Sequence, residues 1–336
     1  MSQGLVNATS YAAVDVPLFD PDGHHVVVAI VKATFEVDRT GRVRPADQPS
    51  EVRFDDILHD PKNPRSSARY PSELCDEKVG TDVVIVGEAI SKKPVGHVDV
   101  AVKIRGQVAP LVVHGLRLFY RSLKGMGDLK IGPAAPFERK PIVYDDAYGG
   151  MALDGSIVEE RNPSGVGIAR RAADLDGQPA PQIEHPARPH ASPDDDHPPV
   201  GYGSLLTHWS PRKEHAGTFD KAWQEGRMPL LPVDFDRRYY NVAHPSLQFS
   251  PHLHESDSIA ILGMTESGLM SFALPALPIV IIGRSDRSGM RRVRPPVDTV
   301  LIEPSRGRVE LTVRASFPMG RGGDVLREIR IDSDER

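Results

Sequence analysis

The chain has 336 residues, with 41 Lys and Arg against 46 Asp and Glu, a formal charge of −5 at pH 7, and 39% hydrophobic positions. This slightly acidic balance contains no basic block, so it carries no electrostatic footprint for nucleic acid or for an anionic membrane surface. A single cysteine, Cys75, excludes an intrachain disulfide and a Cys-rich metal centre, and fits a reducing compartment.

The first 20 residues hold no Lys or Arg and so lack the charged start of a secretory signal, which makes cytoplasmic residence the expectation. The first clear period-two alternation follows: Val31, Ala33, Phe35 and Val37 on one side, Lys32, Thr34 and Glu36 on the other, which reads as a half-buried strand. The turn cluster Asp38-Arg39-Thr40-Gly41 ends it. Val98, Val100, Val102 and Ile104 alternate with Asp99, Lys103 and Arg105 in the same manner, ahead of a turn at Arg105-Gly106-Gln107. Glycine supplies the positive φ of tight hairpins, so antiparallel pairing is expected.

Residues 151–256 change character. The stretch 151–255 holds 13 of the 31 prolines, 8 of the 13 histidines and both tryptophans, with little alternation. A short helix is expected over 218–225, with Thr218 as its cap, Asp220 suited to the N-terminal dipole, Phe219 and Trp223 on one face, and Gly226 as its stop. Aromatic residues recur through the rest, as in ordered loop. Residues 182–199, with Asp194-Asp195-Asp196, read as the least ordered part. From Ser258 to Ile331 strands and glycine turns alternate again, with turns at 266–268, 286–289 and 305–307, and this suggests a meander of about six strands. The longest nearly apolar run, 272–282, has 11 residues and two prolines, against roughly 20 for a spanning helix.

The fold expected is therefore all-β: an antiparallel β-sandwich or paired sandwiches with long ordered Pro-rich loops and one or two short helices. Three regions follow: 8–150, an N-terminal antiparallel β region; 151–256, the Pro-, His- and Trp-rich segment; and 257–332, the C-terminal β-meander.

No spacing in the chain points to catalysis. Gly201-Tyr202-Gly203-Ser204-Leu205 approaches a nucleophile elbow but lacks the closing glycine, and no phosphate-binding loop occurs. His185, His190, His197, His208 and His215 lie near Glu184 and Asp194 to Asp196, an imidazole and carboxylate set of the kind Zn or Fe(II) uses, yet no fixed spacing puts two ligands on one face. Cys75 reads as a small buried residue rather than a nucleophile.

The densest run of unusual residues lies at 217–241. Together with Trp209, it offers Trp223, Arg227, Phe235, Arg238, Tyr239, Tyr240 and Asn241 as candidate partner-binding residues, since Trp, Tyr and Arg dominate interface energetics. Pro229 and Pro232 stiffen the backbone and lower the entropy lost on docking. The same aromatic groups read rather more readily as a plug closing the end of a sandwich, with Arg227 paired to Asp234 or Asp236.

Several longer motifs carry a family likeness: Gly217-Thr218-Phe219-Asp220-x-x-Trp223, Arg227-x-Pro229-Leu230-Leu231-Pro232, and Asp234-Phe235-Asp236-x-Arg238-Tyr239-Tyr240-Asn241-x-Ala243-x-Pro245. Pro71-Ser72-Glu73-Leu74-Cys75 leads to Lys78-x-Gly80-Thr81-Asp82. Gly132-Pro133-x-x-Pro136-Phe137-Glu138, Tyr144-x-x-Ala147-Tyr148-Gly149-Gly150 and Arg161-Asn162-Pro163-x-Gly165-x-Gly167 complete the set. Over nearly the whole chain the sequence resembles a bacterial domain-of-unknown-function family encoded in type VI secretion clusters. His244 stands where many members have a second proline or a short polar residue. The resemblance implies a non-enzymatic adaptor or chaperone that binds an effector protein and helps load it onto the secretion spike or spike-tip protein, with no cofactor, no metal, no nucleic acid and no membrane. Two alternatives stand beside it: a metal-dependent enzyme using the His and Asp residues of 184–215, and a structural component of the secretion apparatus.

Overall fold

The computed structural model describes residues 4–121, 127–192, 195, 197–320 and 324–334. Strand residues make up 43% of the described residues and helical residues 8%, so the fold is all-β. The largest sheet runs in the order Gln248–Phe249, Thr81–Ile85, Val297–Glu303, Arg308–Pro318, His25–Val37, Ala12–Phe19, with Val43–Pro45 added at the end of His25–Val37. Its pairings are antiparallel except for Thr81–Ile85 beside Val297–Glu303, which run parallel. A second, antiparallel sheet orders Ile183–Glu184, Gln107–His114, His97–Ile104, Ser258–Leu262 and Leu269–Ala273. The third holds Leu5–Asn7, Leu326–Ser333, Ile279–Ser285 and Gly289–Val293, the first pair parallel.

All five turn clusters close antiparallel pairs, with Gly41, Gly106, Gly268, Gly289 and Gly307 at positive φ. The meander expected after Ser258 is corrected. The count of about six is close, with seven strands among the described residues, but they do not run as one meander: 258–273 joins the second sheet, 279–293 and Leu326–Ser333 the third, and 297–318 the largest. Early and late parts of the chain thus share sheets, and 151–256 contributes Ile183–Glu184 and Gln248–Phe249 to them.

Apolar residues from all three sheets meet in one continuous core. Val27, Ala29, Val31, Ala33 and Phe35 pack there with Val309, Leu311 and Val313 of the largest sheet, Val100, Val102 and Ile259 of the second, and Ile281, Ile329 and Ile331 of the third. The third sheet comes so close that a Cβ on Gly283 would lie 2.3 Å from the Phe317 ring. His97–Ile104 has the expected one-sided burial, with Asp99 and Lys103 exposed.

His25–Val37 does not. Lys32 and Thr34 are buried, as are Glu310, Thr312 and Arg314 on the neighbouring strand, so the half-buried reading fails on the polar side. The reason is a cover laid over that face by residues 50–53 and 72–78. Its apolar half sets Val52 and Leu74 on Val26, Val28 and Ile30. Its polar half is ionic: Lys32 Nζ donates to Glu73 Oε2 at 2.6 Å and to the Glu51 carbonyl at 2.9 Å, while Arg53 donates to Glu310 at 2.8 Å and Thr312 to Glu73 at 2.7 Å. Arg314 donates to Asp298 at 3.0 Å and to the Cys75 sulfur. Lys78 donates to Asp82 at 2.6 Å and to Thr299 at 2.9 Å. Burial alone would raise the Glu310 carboxyl, but Arg53 and Lys32 outweigh it and hold it at about 2.

Removing one member of such a buried set strands the charges left behind. Lys32→Met should therefore cost about 3 kcal/mol or more of unfolding free energy, measured by urea denaturation, although methionine matches the lysine stem in volume. A loss under about 1 kcal/mol would show that Glu73 and Glu310 are satisfied without it.

Candidate functional site

The helix of the 217–241 segment spans Lys221–Gly226, and its cap differs from expectation. Asp220 accepts from the Trp223 amide at 2.8 Å, whereas Thr218 is drawn away by Asp234, which accepts from its amide at 2.9 Å and its hydroxyl at 2.7 Å. Phe219 stands before the helix, yet its ring still meets Trp223 edge-on at 4.8 Å. The Trp223 indole donates to the Leu230 carbonyl at 2.7 Å. Arg227 pairs with neither Asp234 nor Asp236. Its guanidinium donates to the Leu231 and Pro21 carbonyls, which ties the segment to the turn at 20–24. Gly23 makes that contact close, because a Cβ there would lie 2.4 Å from Leu230.

The far end of the segment is clamped to the ionic cover. Arg237 donates to Asp76 at 3.0 Å. Asn241 donates to Asp82 at 3.1 Å, and the same carboxylate accepts from the Val242 and Ala243 amides. Arg212 donates to the Tyr239 carbonyl at 2.9 Å and lies 5.4 Å from the centre of its ring.

The candidate partner residues divide accordingly. Trp209 is buried among Ala68, Leu205 and Leu206, edge-on to Tyr144 at 5.5 Å, and Asn241 is buried under the clamp. Neither offers surface to a partner, which corrects the expectation for these two: Trp209 is the plug. Trp223, Arg227, Phe235, Tyr239 and Tyr240 are half-buried, and Arg238 is exposed and paired with Asp236. The rings of Phe235, Tyr239 and Tyr240 lie within 5.4–5.9 Å of one another. The same segment carries three exposed apolar residues that the sequence did not single out as partner contacts: Phe219, Met228 and Val233, at 54%, 60% and 83% exposure. The signal was present for Phe219, an apolar residue between Thr218 and Asp220, but not for Met228 and Val233, which flank the apolar run Pro229-Leu230-Leu231-Pro232.

The histidines disperse. His190 stacks on Tyr148 at 5.0 Å and lies 4.8 Å from His197, whereas His185 accepts from the Ala187 amide of its own turn and His208 from the Trp209 indole. Glu184 is already committed: His114 Nε2 stands 2.7 Å from it, Arg117 donates at 2.9 Å and the His190 amide at 3.0 Å. Burial would raise this carboxyl, but those three contacts hold it at about 2. Asp194 and Asp196 lie outside the described residues. Among the described residues, the group of three whose ligand atoms approach within 4.8 Å is Asp20, Asp22 and His24, in an open turn and away from these histidines in sequence. Ser204 is buried, and burial both hides the Cys75 thiol and pushes it up, so neither is presented as a nucleophile.

A cleft of about 790 Å³ lies elsewhere. Gly149, Gly165 and Gly167 form part of its wall, with Met151, Leu153 and Leu175 supplying apolar surface. Two of the motifs noted in the sequence thus converge there, joined by parallel pairing of Tyr148 with Val166 and Gly149 with Gly167. The Asn162 amide donates to the Tyr144 and Tyr148 carbonyls at 2.8 and 3.0 Å and holds the two loops together.

A family model described as an uncharacterized protein conserved in bacteria, DUF2169, matches residues 22–314. The chain belongs to this family. Within the matched span lie the ionic cover, the 217–241 segment and the glycine-walled cleft, so each is part of the DUF2169 domain and not an appendage. No curated protein and no solved structure matches the chain.

Burial, and then the neighbouring His197, push the His190 imidazole down to about 4. A depressed histidine binds its proton less readily folded than unfolded, so its contribution is complete above the ordinary 6.5 and is lost as pH falls toward 4. Burial depresses His59, His208 and His244 in the same direction. Denaturant midpoints should therefore drop between pH 7 and pH 5, and drop less in His190→Gln; an equal drop in the two proteins would remove His190 from the account.

Proposed function

We propose that this DUF2169 protein is a non-enzymatic, cytoplasmic adaptor or chaperone that binds a type VI secretion effector and helps load it onto the secretion spike. The observation that carries the reading is the clamped segment 217–241. Exposed Phe219, Met228 and Val233, with the half-buried ring set of Trp223, Phe235, Tyr239 and Tyr240, present apolar and aromatic surface on a backbone held at both ends. Such a surface is prepaid in order: little conformational freedom is left to lose when a partner docks. The secretion context itself comes from the motif resemblance. No helix of the described residues is long and apolar enough to cross a membrane.

Co-expression with a type VI effector encoded beside the gene, followed by affinity purification, tests the reading. The wild-type chain should retain the effector and the spike-tip protein. Phe219→Ser combined with Met228→Ser should reduce retention about tenfold or more while leaving the melting temperature near wild type, because both side chains are exposed. A wild-type chain that retains neither protein, with both in excess, would overturn the proposal. The metal-enzyme reading has the His190 and His197 proximity in its favour, and elemental analysis separates it: a stoichiometric transition metal would support that reading instead.

A further inference from the structure

The third sheet ends in an open strand with unusual charge. Residues 284–294 hold five arginines, Arg284, Arg287, Arg291, Arg292 and Arg294, against one acid, Asp286, in a chain whose formal charge is −5. Asp286 is already paired with Arg327 at 2.5 Å, and Arg294 reaches Asp334 at 3.1 Å. Arg284 and Arg292 are exposed and, among the described residues, pair with no carboxylate. Gly289–Val293 pairs with Ile279–Ser285 on one side. Among the described residues no backbone group bonds its other side.

Register places the side chains. Across the outer face run Val6, Arg330, Ile282 and Arg292, and next to that row Glu328, Arg284 and Met290. Arg330 is engaged by Asp332, while Met290 is 58% exposed. Arg291 points the other way, its guanidinium 5.8 Å from the Phe317 ring centre and donating to the Ser316 carbonyl. The edge therefore offers unpaired backbone groups, an apolar spot at Met290 and two uncommitted positive charges beside it. Charged residues on an edge commonly keep it from pairing with a like edge, and a run of arginines would repel a second copy of itself. The same charges favour an acidic strand.

We propose that the open edge of Gly289–Val293 captures an extended acidic segment of the partner protein by strand addition, with the carboxylate-bearing side of that segment on the outer face, next to Arg292 and within reach of Arg284 across Met290. The inference rests on the adaptor reading and gives it a binding mode: main-chain hydrogen bonds supply affinity, and the arginines select sequence.

The test uses the full chain and a fluorescein-labelled peptide of alternating Glu and Val, followed by fluorescence anisotropy, with a Lys and Val peptide as control. The acidic peptide should bind, more weakly as salt rises, and the basic one should not. Arg284→Glu with Arg292→Glu should weaken binding about tenfold or more without shifting the melting temperature, since neither arginine has a partner to lose. N-methylation of one alternate set of peptide amides should abolish binding and of the other set should spare it, because only one set faces the edge. An acidic peptide that fails to bind, or that binds equally with either set methylated, overturns strand addition. If the effector still co-purifies with the wild-type chain in that event, the adaptor reading survives and only the edge is excluded; a peptide that binds as described while no effector co-purifies supports the edge and sinks the adaptor reading.

Discussion

The buried ionic cover on the largest sheet is the constraint on which the rest depends. A sheet whose strands carry Lys32, Glu310 and Arg314 toward one side cannot leave that side half-dressed. Each charge withdrawn from water must find an opposite charge and further hydrogen bonds, or it destabilises the fold by several kcal/mol. The stretch from Glu73 to Asp82 meets that demand almost residue by residue, with Glu73 on Lys32 and Thr312, Cys75 on Arg314, and Lys78 and Asp82 on each other. Buried pairs of this kind contribute less to net stability than an apolar layer would, but they accept few alternative arrangements, and this cover therefore has one register on its sheet.

That register is passed on to the surface. Asp76 on the cover and Asp82 on the sheet strand that the cover's Lys78 holds receive Arg237 and Asn241, and so the aromatic segment inherits its position from groups buried beneath it. Its other end is tied to the turn at 20–24 through Arg227 and Leu230, a turn that directly precedes His25–Val37. Both anchors lead back to one sheet. The half-buried rings are thus carried by the rigid part of the molecule although they sit in a loop, which is how loops commonly come to hold function.

The hairpins were legible because their signal is local: a glycine that must take positive φ sits between two alternating runs, and nothing distant is needed to read it. The one-sided strand His97–Ile104 was legible for the same reason. The two-sided burial of His25–Val37 was not, because alternation reports polarity and does not distinguish water from a carboxylate brought in from 41 residues away, as Glu73 is to Lys32. The division of the C-terminal strands among three sheets was hidden likewise, since consecutive hairpins look alike whichever sheet they join. At the site, Trp209 and Trp223 are the same residue type in the same segment, and only tertiary packing makes one a plug and the other a surface group. The Glu184 cluster draws His114 from the end of another strand and Arg117 from the residues just after it, a meeting that no spacing within 184–215 encodes.

Arg308–Pro318 lies between His25–Val37 and Val297–Glu303 at the centre of the largest sheet, and Thr81–Ile85 lines up on the outer side of the latter. During synthesis, then, an early hairpin waits with one long apolar edge unsatisfied until almost the whole polypeptide has left the ribosome. Non-local pairing of this kind makes folding slow and leaves the nascent chain exposed to aggregation in the interval. The nascent chain would then depend on shelter of its own until its last hairpin arrives.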